Sequence, residues 1–138
     1  MDDLVRLIWS TAFLASALRL SVPILYAGLG EIVSERAGNL NVGLEGMMLA
    51  GAFGSVLVAW WTSDPWLGLV GGAAAGILVT AIQGLVAITL GGDQVVTGVA
   101  LNLGVSGLTV YLSRSLWGIG EARPTVAHFT PIGWEPLE

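Results

Sequence analysis

The residues able to do chemistry crowd into one stretch, Glu31 to Ala52, EIVSERAGNLNVGLEGMMLAGA, set between two apolar runs. Glu31 and Glu35 stand one helical turn apart and would repel if both were ionised on one helix face. Glu35 and Arg36 are adjacent, so on a helix they do not face each other. Paired carboxylates can divide general acid and base work, but nothing near them supplies a nucleophile or a substrate pocket. Other chemistries lack material. The single histidine, His128, sits in a polar tail, and cysteine is absent, so metal and thiolate sites are not expected. All five basic residues are arginines, and without lysine the chain has no Walker loop with which to cradle ATP phosphates. A net charge of −5 with no basic cluster argues against nucleic acid as a partner. No cofactor and no enzymatic activity are expected of this chain.

The elements that must position the stretch are membrane helices. Of the 138 residues 54% are hydrophobic and only 11% charged, less than half the charged share usual for a soluble domain. About 20 apolar residues cross a hydrocarbon core of about 30 Å. Leu7 to Gly30 is apolar except for Arg19, and neither half reaches across alone, so Arg19 is expected near the middle of the first span, facing protein or a watery cavity. The alternative is an interfacial helix to Arg19 followed by a short, tilted insertion. Pro23, one turn later, predicts a kink. Arg6 and the small residues Ala15-Ser16-Ala17 imitate a secretory leader. However, Asp2 and Asp3 spoil its positive end and more membrane sequence follows, so the run reads as the start of the first span.

The second run, Gly46 to Ser63, ends among Trp60, Trp61 and Trp66, residues suited to the headgroup level. The third, Pro65 to Gly92, carries Gly68, Gly72, Gly76, Thr80 and Gly84 at four-residue spacing, a stripe along which another helix can approach closely. The fourth, Gln94 to Ser113, is softer. It holds Gln94, Thr97 and Asn102, with Asn102 one turn from Gly98. Asn102 either hydrogen-bonds another helix or lines an aqueous path. The predicted fold is an all-α polytopic transmembrane bundle with spans at about 7–30, 46–63, 67–90 and 94–113 and a loop over 114–138. One boundary is broken or re-entrant near 31–46, because Gly38, Gly43 and Gly46 disfavour a continuous helix. With both termini on one side, Arg6, Arg114 and Arg123 oppose Arg36 alone, which predicts a cytoplasmic N-terminus. Glu45, four residues after Asn41, then has two open readings. It is an acid at a helix N-terminus, worth roughly 0.3–1 kcal/mol, or it lines a translocation path, since transporters bind cargo at broken helices.

At these residues the sequence resembles a family. Glu35-Arg36-Ala37-Gly38, Asn41-Val42-Gly43-Leu44-Glu45-Gly46-Met47-Met48 and Gly51-Ala52-Phe53 are similar to the signature of ABC-importer permeases for nucleosides and simple sugars, related to the ribose and branched-chain amino-acid permeases. Gln94-Val95-Val96-Thr97-Gly98, Ala100-Leu101-Asn102 and Gly107-Leu108-Thr109 follow in the same order, and Pro23 fits the first helix. Asn39 departs from the pattern, which is usually apolar there. The resemblance implies a multi-pass subunit of a cell membrane, of the bacterial inner-membrane type. It would form part of the path for a small polar solute, with Asn41, Glu45, Gln94 and Asn102 as candidate pathway residues. Pro23, Glu35, Arg36, Gly38, Gly43, Gly46 and Gly98 would be structural. The implied partners, besides the lipid bilayer, are a second permease subunit, cytoplasmic ATPase subunits and an extracytoplasmic solute-binding protein. Family members are longer, so residues 1–138 are expected to be the N-terminal half of one permease domain, with the small-residue stripe lacking its partner helices. The competing expectation is a self-contained small oligomeric channel or transporter, or an accessory membrane subunit.

Overall fold

The computed structural model describes residues 11–118, 124–126 and 129. Arg6, Arg123, His128, the start of the first apolar run and most of the tail lie outside the described residues. The chain divides into two compact units, Met1–Asn41 and Val42–Glu138.

In the first unit α1 runs from Thr11 to Arg36. Its 26 residues rise about 39 Å, more than a hydrocarbon core requires. Pro23 lies inside the helix and leaves the Arg19 carbonyl without its usual donor. Arg19 itself is exposed. The helix goes six residues beyond the expected end of the span and takes in Glu31, Glu35 and Arg36. No glycine interrupts it between Gly30 and Gly38, so nothing in the local backbone stops it earlier. The stop is a Schellman motif. Gly38 takes φ +82°, its N–H donates to Glu35 O at 2.9 Å, and Asn39 N–H donates to Ser34 O at 3.0 Å. The Ser34 hydroxyl donates to Asn39 O at 2.7 Å and accepts from Asn39 Nδ2 at 3.3 Å. Asn41 N–H then donates to Glu31 Oε1 at 3.0 Å. The break in the backbone is therefore confined to Ala37–Gly43.

The second unit contains α2 (Leu44–Thr62), α3 (Pro65–Gly84), which continues into a π-helical turn over Leu85–Thr89, and α4 (Gln94–Trp117). Two aspartates start the later helices. Asp64 accepts from Trp66 N–H at 2.8 Å with Pro65 in the first helical position, and Asp93 accepts from Val95 and Val96 N–H, both at 2.9 Å.

The stripe on α3 is covered, contrary to the expectation that it lacks a partner. A side chain at Gly68 would meet Ala59 Cβ at 2.7 Å, and one at Gly72 would meet Gly51 O at 2.8 Å. Gly54 of α2 answers with Ala75 Cβ at 2.6 Å and Gly71 O at 3.0 Å. The Thr80 hydroxyl reaches Met47 Sδ at 3.2 Å. Small residues on both helices bring the two backbones together, and dispersion plus loss of lipid contact holds them. Of the stripe's glycines, only Gly84 faces open space. Trp117 closes the other end of the unit, edge-on to Phe53 and Trp60 with ring centroids 5.8 and 5.9 Å apart. Trp61 and Trp66 are exposed, as headgroup-level residues would be. Leucine, isoleucine and valine side chains point outward on all four helices, each of which is long and apolar enough to cross a membrane.

Candidate functional site

The polar feature of the second unit is the first turn of α2, and it is built from three helices. Gly43 is the N-cap, so Leu44, Glu45 and Gly46 are the first three helical positions. An N-cap side chain ordinarily accepts a hydrogen bond from the second or third of these N–H groups. Gly43 has no side chain, and the bond comes instead from α4: Asn102 Oδ1 accepts from Gly46 N–H at 2.7 Å. The other end of the same amide, Nδ2, donates to Val42 O at 3.0 Å. Asn102 thus caps α2 from a position 56 residues away and ties down the non-helical residue before it.

Each glycine around this bond has a steric reason. At Gly46 an added Cβ would lie 2.9 Å from Asn102 Oδ1 and 3.2 Å from Asn102 Cα, so the close approach of α4 depends on its absence. A Cβ at Gly98 would lie 2.7 Å from Gly43 N and 2.9 Å from Val42 C. A Cβ at Gly43 would run into the Oε1 of Gln83, with Gly98 Cα only 3.4 Å away. The N-cap cannot carry the usual serine or asparagine because α3 and α4 already fill that space. Gln83 is 1% exposed, and neither its Oε1 nor its Nε2 has a hydrogen-bond partner.

The structure brings together Gly43, Gly46, Gly98 and Asn102 of the expected residues. Of the two roles open to Asn102, the hydrogen bond to another helix is the one observed. Glu45 is on the same turn with an exposed side chain, where an acid is favoured by the helix dipole. Gln94 is half-buried in the first turn of α4, two turns before Asn102. Pro23, Glu35, Arg36, Gly38 and Asn41 belong to the first unit, where Gly38 and Asn41 shape the end of α1. Gln83 escaped the sequence reading. Its one signal was being the sole amide side chain in the apolar run Pro65–Gly92.

Residues 13–131, which contain the whole of this arrangement, match the family described as the branched-chain amino acid transport system / permease component. The chain belongs to this permease family. It is 42% identical over 103 residues to the "Putative glucose ABC transporter permease protein" of Haloferax volcanii, covering 75% of this chain and 31% of that one. It is 35% identical over 122 residues to the guanosine ABC transporter permease protein of Bacillus subtilis, covering 84% of this chain and 38% of the relative. A nucleoside ABC transporter permease protein of Lactococcus lactis subsp. cremoris is 35% identical over 113 residues, 78% of this chain and 36% of the relative. The matched part spans about a third of the length of these relatives. No solved structure matches the chain. Family and four apolar helices together make this permease component a multi-pass membrane protein.

Proposed function

We propose that this chain contributes part of the translocation path of an ABC importer that carries a small polar solute, a nucleoside or a simple sugar, across the cell membrane of a bacterial-type cell. The reading is carried by the similarity to relatives whose names specify glucose, guanosine and nucleosides, together with the permease-family match over residues 13–131. The missing lysine agrees with ATP hydrolysis on separate cytoplasmic ATPase subunits, and a second permease subunit and an extracytoplasmic solute-binding protein complete the assembly. Within the chain Asn102 holds the start of α2 in place, and Asn41, Glu45 and Gln94 are the further residues assigned to the path. A helix that begins inside a bundle aims the positive end of its dipole at the interior, as the broken helices of transporters do at midplane sites.

Uptake of labelled nucleosides and sugars by the full-length protein with its partners tests this. Glu45→Ala and Gln94→Ala are expected to lower uptake at least severalfold. Wild-type uptake of neither solute class would sink the reading, and uptake indifferent to Glu45, Gln94 and Asn102 substitutions would remove the site assignment.

A further inference from the structure

Gln83 is the one polar side chain among the described residues that is almost wholly buried. A primary amide offers two N–H donors and a carbonyl acceptor, and here none is used. Burying such a group without hydrogen bonds is unfavourable, and methionine or leucine would fill the same volume without that cost. Packing therefore does not account for glutamine at this position. Its location is specific: Oε1 lies against Gly43, the N-cap of α2, beside Gly98 and one residue from the backbone that Asn102 holds. Asn102 has Oδ1 and Nδ2 engaged with Gly46 and Val42, so it is not the partner Gln83 awaits. Immediately after Gln83 come Gly84, which faces open space, and the π-helical turn Leu85–Thr89, with Leu90 N–H donating to Leu85 O at 3.0 Å. Such turns occur disproportionately at functional sites.

We infer that Gln83 is a solute-reading residue: its amide, covered by Gly43, hydrogen-bonds the polar edge of the transported solute when the Val42–Gly43 backbone withdraws from α3. This rests on the importer reading above and deepens it. An adjacent donor and acceptor on one planar group match a ligand that presents an acceptor next to a donor. The edge of a nucleobase does this, as do neighbouring hydroxyls of a sugar. Withdrawal breaks the Asn102 Nδ2 bond to Val42 O and parts Gly43 from Gly98, a contact of backbone against backbone apart from Val42 Cβ. The dipole of α2, 19 residues long, adds positive potential where a solute carbonyl or hydroxyl oxygen would sit.

The test uses the intact permease with its ATPase and binding protein, and compares wild type with Gln83→Met, which keeps length and removes hydrogen bonding. Uptake is measured in two arms, one with a labelled nucleoside and one with a labelled simple sugar, alongside the melting temperature in detergent. The expected result is a KM raised about tenfold in the arm that wild type transports, the loss of one or two hydrogen bonds, with a melting temperature equal to or above wild type. A KM within twofold of wild type in both arms would overturn the role of Gln83 and leave the importer reading standing. Wild type transporting neither solute would overturn the importer reading instead. If Gln83→Met does not insert as folded protein, Gln83→Leu takes its place, and failure of both marks the amide as structural and also overturns the inference.

Discussion

Gly43 has φ −81°, which any residue adopts, so its backbone gives no reason for glycine. The reason is the Gln83 amide in the space a Cβ would take. Gly43→Ala is therefore expected to destabilise the folded protein by about 1–3 kcal/mol through overpacking alone. Gln83→Ala should remove the collision, so the double variant should be more stable than the sum of the singles by about 1 kcal/mol or more. Unfolding in detergent micelles reads all four members of this cycle, and strict additivity would contradict the contact. The cap behaves similarly. Asn102→Ala leaves the part-buried Gly46 N–H and Val42 O without these partners, and a loss of about 1–3 kcal/mol is expected. Gly46→Ala should do comparable damage by pushing Asn102 away. The two substitutions break one contact, so the pair should cost clearly less than their sum.

At the scale of elements, the spans were legible from charge-free runs because helix length in a bilayer follows from its thickness. The break was legible too, but its limits were not. The span was expected to end where the apolar run stops at Gly30, whereas backbone geometry decides: α1 continues until Gly38 offers a left-handed residue. Glu31 accepts a hydrogen bond from the loop ten residues on, a partner that spacing within the helix could not reveal. Gly98 and Asn102 could be read as a gap with an amide over it, but not the helix that would occupy the gap. Gln83 was missed because one amide in an otherwise apolar run has no periodicity to mark it. The Schellman stop makes its own prediction. Gly38→Ala forces a Cβ into φ +82° at a cost of about 1–2 kcal/mol, while Gly38→Asn, which tolerates that region, should cost less. Hydrogen exchange at Asn39 and Asn41 checks this: the alanine variant should exchange faster there than the asparagine variant, and equal protection in both would count against the motif.

At the scale of the molecule, the question is which way the helices cross. Ser63, between α2 and α3, and Leu90, after the π-helical turn, lie at opposite ends of α3 and are both exposed. Arg114 lies in the last turn of α4, the helix that returns from Leu90's side to Ser63's side, where Trp117 meets Trp60. Positive residues are retained on the cytoplasmic side, and the sequence-based expectation of Arg6, Arg114 and Arg123 against Arg36 alone would make Arg114's side the cytoplasmic one. Ser63 should therefore face the cytoplasm and Leu90 the exterior, the face a solute-binding protein would meet. The sequence contains no cysteine, so single Ser63→Cys and Leu90→Cys variants have no background in this chain. A membrane-impermeant maleimide added to intact cells should label Leu90→Cys at once and Ser63→Cys only after permeabilisation. The reverse pattern would invert the orientation and place the capped start of α2, which lies at Leu90's end of the unit, on the ATPase side. Equal labelling of both from outside would mean that α3 does not cross the membrane, and the four-span arrangement would fall with it.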